Sequence, residues 1–89
     1  MSDKDAPGFE FPVDFPVKAM GRADDSFEAT VVEVLSRHVP AEDLKKVSTR
    51  PSRNGTYSSV TCTIVARSRE QLDAIYDALT EHPDVLMRL

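Results

Sequence analysis

The sequence predicts an α+β sandwich, a single four-stranded antiparallel sheet with two helices packed on one of its faces. Three observations carry this reading. Residues 60–66 alternate strictly, with Val60, Cys62, Ile64 and Ala66 set against Thr61, Thr63 and Val65, the period of a strand with one apolar face. Two segments, residues 25–40 and 68–83, instead repeat apolar residues every three or four positions and carry helix start and stop signals. An Asn54-Gly55 pair stands between two strand-like runs, a strong signal for a tight hairpin.

In chain order, residues 1–9 are polar, contain Gly and Pro, and show no period. They are expected to form a disordered tail ahead of a single domain at residues 10–89. Pro12 and Pro16 hold the next segment extended, because the proline ring disfavours helix for the residue before it. Phe15, Val17 and Ala19 alternate there with Pro16, Lys18 and Met20 in a first strand that ends at Gly21. Asp25 and Glu28 have the spacing of a capping box at the start of the first helix. Phe27, Val31, Val34 and Leu35 share one face of it, Glu33 and Arg37 lie one turn apart, and Pro40 stops it. A second strand is expected from residue 44 to about 50. A two-residue type I′ turn at Asn54-Gly55 then leads into the alternating third strand. Ser68 and Gln71 cap a second helix with the stripe Leu72, Ile75, Tyr76 and Leu79, and His82-Pro83 ends it. The closing DVLMRL reads as a fourth strand, with Val85, Met87 and Leu89 on one face.

Strand, helix, strand, strand, helix, strand, with right-handed crossovers, puts both helices on the same side of the sheet. This is the ferredoxin-like βαββαβ arrangement, and it leaves the other sheet face uncovered.

Eighty-nine residues make one domain. Fifteen acidic against 11 basic residues give a net charge of −4, which speaks against a general nucleic-acid binder. One cysteine excludes an internal disulfide and a multi-cysteine zinc site. No apolar run approaches the roughly 18 residues of a membrane span, and no basic-then-apolar leader opens the chain. The expected location is the cytoplasm, without membrane contact.

The stretch RPSRNGTYSSVTC, residues 50–62, looks most like a site. A phosphate loop needs several glycines and a helix behind them, whereas here one glycine precedes a strand. Ser52, Ser58 and Ser59 have no histidine base nearby in sequence, so the stretch reads as a turn. His38 and His82 both fall at helix C-termini, where the helix dipole explains them without catalysis or metal binding. Cys62 lies on an apolar strand face and reads as core. No catalytic residue, metal ligand or cofactor is expected, and the chain is not expected to be an enzyme.

Two binding features remain. Gly21 and Arg22 open the MGRADDS loop, a candidate effector loop in which glycine permits close backbone approach and Arg22 offsets the repulsion of Asp24 and Asp25 toward an anion. Lys18, Lys46, Arg50 and Arg88 are expected on the uncovered sheet face beside Ser48, Ser59, Thr61 and Thr63, a basic face on an acidic chain. The competing reading of these cations is protection of exposed strands against aggregation. An RNA platform of the kind that stacks bases on central strands needs aromatic rings there. Tyr57 alone is available, at a strand end, so that mode is not expected.

Three blocks, residues 10–21 (EFPVDFPVKAMG), 50–61 (RPSRNGTYSSVT) and the closing YDALTEHPDVLMRL, resemble the uncharacterised YbeD-like family of small bacterial proteins. The likeness spans roughly residues 10–89. It implies a ferredoxin-like fold similar to ACT-type regulatory domains, which bind small effectors at dimer interfaces, and it implies no activity. The expectation is a regulatory or adaptor module, a homodimer that binds a small effector or a protein partner. Nucleic-acid or other polyanion binding through the basic face is the alternative.

Overall fold

The computed structural model describes residues 10–88, so the tail expected at residues 1–9 and the place of Leu89 in the last strand lie outside the described residues. The elements are β1 (Val13–Arg22), α1 (Phe27–Ser36), a short 3-10 turn (Ala41–Asp43), β2 (Leu44–Pro51), β3 (Tyr57–Ala66), α2 (Arg69–Glu81) and β4 (Met87–Arg88). The strands form one sheet in the order β2-β3-β1-β4, antiparallel at every pairing. This is the ferredoxin-like sandwich that the element order predicts.

Alternation decides what each strand buries. Val60, Cys62, Ile64 and Ala66 of β3 have no exposed surface, and neither has Val17 of β1 directly opposite Cys62. Above them sit Phe27, Val31, Val34 and Leu35 of α1 with Leu72, Ile75 and Leu79 of α2, the apolar stripes that the helical spacing marks out. Burying one such aliphatic side chain contributes about 1.5–3 kcal/mol, so this two-layer core is the main source of stability.

The α2 cap follows the sequence closely. The Ser68 hydroxyl accepts the Gln71 backbone N–H at 3.0 Å, while Gln71 Oε1 reaches back one residue further than a capping box requires, to the Arg67 N–H at 2.7 Å. The Gln71 amide also donates to the His38 carbonyl at 2.9 Å, which ties the end of α1 to the start of α2.

The α1 cap differs. Ser26 is the capping residue and makes no side-chain bond to the helix; Asp24, not Asp25, organises the turn by accepting both the N–H and the hydroxyl of Ser26 at 2.8 Å. Glu28 is drawn away from the helix start to accept the Thr49 hydroxyl at 2.6 Å, binding α1 to the edge strand β2.

The hairpin also differs from the type I′ expectation. Only Gly55 among the described residues has positive φ, at 77°, so Asn54 does not take the left-handed conformation that such a turn requires. Instead residues 53–56 form a four-residue loop closed by the Ser52 N–H to the Tyr57 carbonyl at 2.8 Å, with the Gly55 N–H on the Ser52 carbonyl at 3.0 Å. The Asn54 side chain accepts the Thr56 N–H at 3.1 Å, using its amide oxygen rather than its backbone to turn the chain.

A register shift between Leu44 and Lys46 marks a β-bulge at Lys45. Leu44 pairs with Ile64 on the helix side, yet Lys46 pairs with Thr63 on the open side. Strict alternation would have put residues 44 and 46 on the same face. The bulge lets Leu44 join the core while Lys46 points out.

Candidate functional site

Cys62, Ser52 and His82 each have a structural role. Cys62 is fully buried, and that burial, helped by the negative charge of Glu28, pushes its thiol up to about 11, far from a nucleophilic thiolate. The Ser52 hydroxyl accepts the Tyr57 N–H at 3.0 Å and donates to Asn54 Oδ1 at 3.1 Å, holding the hairpin loop. The imidazole of His82 accepts the Asp84 N–H on Nδ1 at 3.1 Å and shapes the turn into β4. His38 and His82 end different helices of an antiparallel pair, since the Gln71 bond sets the end of α1 beside the start of α2. They are separated by about 20 Å, the length of α2. Among the described residues, no three side chains of His, Cys, Asp or Glu gather as metal ligands. No helix among them is long and apolar enough to cross a membrane.

Gly21 of the expected effector loop faces inward. A Cβ there would stand 2.5 Å from the Asp84 carbonyl oxygen and 2.5 Å from Cε1 of Phe27, so the close approach that glycine permits is made by the protein's own ring and backbone. Beside it lies a cavity of about 160 Å³ lined by Arg22, Asp24, Ser26, Phe27, Pro83, Asp84 and Leu86. Arg22 faces two carboxylates there. Asp24 stays ionised, held below its ordinary value first by the Ser26 backbone N–H and then by the Ser26 hydroxyl. The cavity is thus lined by one arginine and two aspartates.

The open sheet face has the opposite character. The pairing register lines up Lys46 with Thr63 and Pro16, Ser48 with Thr61 and Lys18, and Arg50 with Ser59 and Met20. Met87 of β4 extends the last row. Lys18, Lys46 and Arg50 are exposed, and no carboxylate among the described residues pairs with them; the ion pairs described are Arg37 with Glu33 and Arg67 with Asp43. Asp14, opposite Val65 at the start of β1, is the acidic side chain of these rows. A shallow depression of about 180 Å³ opens at the hairpin end, lined by Met20, Arg50, Pro51, Ser52, Tyr57, Ser58 and Ser59.

Arg88 does not belong to this face. It stands opposite Ala19, a helix-side residue, with its guanidinium 5.1 Å from the centre of the Tyr76 ring and its Nε donating to the Thr80 hydroxyl, both on α2. The last strand has two residues, too few for alternation to set its faces, and its register against β1 puts Arg88 on the helix side rather than on the expected open face. Sequence reasoning also missed the apolar corner of the open face. Met20 and Met87 read there as strand residues, and only the β1–β4 register sets them side by side.

Comparison with known proteins agrees with the three sequence blocks. A family model described as protein of unknown function (DUF493) matches residues 6–89. A UPF0250 protein of Nitrosomonas europaea is 46% identical over 80 residues, covering 90% of this chain and 92% of that protein. One from Paraburkholderia phytofirmans is 48% identical over 85 residues, 96% of each. The solution structure of protein HP0495 from H. pylori superposes with a TM-score of 0.76 at 17% identity, covering all of this chain and 93% of that one, a likeness of fold.

Proposed function

The chain belongs to the DUF493 family, also known as UPF0250 and YbeD-like, and from that footing we propose that it is a non-catalytic regulatory or adaptor module that works by contact through its open sheet face. The observation that carries the reading is the set of Lys18, Lys46 and Arg50 on that face, without carboxylate partners among the described residues, in a chain whose net charge is −4. Cations left unpaired on one surface of an acidic protein attract an oppositely charged occupant and orient it. The buried thiol of Cys62 and the structural duties of Ser52 and His82 support a role without covalent chemistry.

Nucleic acid is the weaker occupant of the same surface. Base stacking needs rings on the central strands, and along β1 and β3 the open rows carry Pro16, Lys18, Met20, Thr63, Thr61 and Ser59, with Tyr57 only at the strand end.

Site-directed photo-crosslinking in living cells tests the proposal. A photoreactive amino acid in place of Thr61, at the centre of the open face, gives a discrete heavier adduct. The same residue in place of Asp77, exposed on α2, gives none. Equal adducts from both positions, or none from Thr61, would overturn the assignment of the working surface.

A further inference from the structure

We infer that the occupant of the open face is an extended acidic protein segment that seats one apolar side chain in the Met20–Tyr57 depression and lays its carboxylates along Arg50, Lys18 and Lys46; this rests on the open face being the working surface.

Three features favour that occupant over a small effector, a second copy or a polynucleotide. The first is reach. Lys46 and Arg50 lie four residues apart on β2, about 13 Å at the ordinary strand rise, with Lys18 two strands away. One small acid cannot touch all three, whereas an extended chain of similar rise can. The second is self-repulsion. Two copies meeting face to face would bring Lys18, Lys46 and Arg50 against their own counterparts, which costs rather than contributes binding energy. The third is the apolar corner. The large hydrophobic side chains most exposed among the described residues are Tyr57 at 38%, Leu86 at 54% and Met87 at 51%. Tyr57 and Met87 lie on the open face at the end of the sheet where Met20 pairs with Met87 and Tyr57 pairs with Arg22, whereas Leu86, one residue before Met87, lines the cavity beside Phe27. Exposed apolar side chains gathered at one spot, rimmed by charge, have the anatomy of a protein-docking surface. Methionines supply a surface that adapts to an apolar anchor. Arg50 borders both the depression and the cationic row, so a segment that fills the one runs directly onto the other.

The probe is a synthetic peptide of alternating Glu and Ser with a single central Leu, titrated at low salt into the isotopically labelled full chain and read by backbone amide shifts. The expected result is saturable shifts confined to β1, β2, β3 and the hairpin end. Replacing the peptide's Leu by Ser should weaken binding about tenfold, and raising the salt should weaken it further. Arg50→Glu should weaken it at least about threefold, while Arg37→Glu, in a cation paired to Glu33 on α1, leaves it unchanged. Because the Leu-to-Ser comparison leaves the protein untouched, a poorly folded variant cannot imitate the result. If oligothymidylate shifts the same amides more tightly than the peptide, or the peptide without Leu binds equally well, the occupant is wrong and the surface stands. If neither anion moves the face, both inferences fall.

Discussion

Gly21→Ala separates the two roles that glycine had in the sequence, ligand approach and internal packing. The added Cβ would sit 2.5 Å from a backbone oxygen and 2.5 and 2.6 Å from two ring atoms of Phe27, well inside the 3.4 Å where ordinary contact begins. Phe27 is 3% exposed and wedged into the core, so the ring has little room to yield, and the Asp84 carbonyl belongs to the turn that His82 holds. Overpacking of this kind costs about 2 kcal/mol. A domain of this size loses roughly 4–8 °C of melting temperature per kcal/mol, so the variant should melt about 8–16 °C below the parent. Thermal unfolding followed by circular dichroism, with a urea titration at 25 °C as a check on the free energy, reads it directly. A melting temperature within about 2 °C of the parent, given the same scaling, would mean that β1, α1 and β4 do not meet as described.

Gly55→Ala should be milder, lowering stability by about 1 kcal/mol in urea unfolding, because nothing lies within 4 Å of its Cβ and only the left-handed φ of 77° resists the substitution. A loss as large as that of Gly21→Ala would refute the loop geometry. Asp43 is held below the usual carboxylate range first by the Arg67 side chain, which donates at 2.8 and 3.0 Å, so its pairing contributes stability fully present above about pH 4 and lost as the pH falls through its lowered folded value. Asp43→Asn should therefore be less stable at neutral pH and should lose less on acidification; parallel stability–pH curves for the two proteins would contradict the pairing. Cys62 should resist iodoacetamide at neutral pH in the folded protein and react fully in guanidinium. Rapid labelling of the native chain would disprove its burial.

The fold could be read from sequence because its evidence is periodic. Val60 to Ala66 and the two helical stripes repeat over enough residues to set both element type and buried face, and Ser68 with Gln71 is a local signal that tertiary packing left in place. Parity and partner choice are not written in that periodicity. The bulge at Lys45 shifts the face of one strand half without any Gly or Pro to announce it, and the two-residue β4 has no alternation long enough to orient Arg88. Asp24 and Asp25 are chemically equal as caps, and only the path of the chain chose Asp24. Of the open-face cations, Lys18 and Arg50 follow directly from alternation along β1 and β2. Lys46 follows from the same alternation, while Leu44 reaches the core only because of the bulge, and the apolar corner beside Arg50 exists only once β4 is laid against β1.

On this acidic protein the open sheet face is positive. Nuclear relaxation with small paramagnetic probes of opposite charge measures this without any partner. Amides near Lys18, Ser59 and Thr61 should relax faster with the anionic probe than with the cationic one, while those of α1 and α2 show the reverse. The same preference for the cationic probe over the whole surface would contradict it.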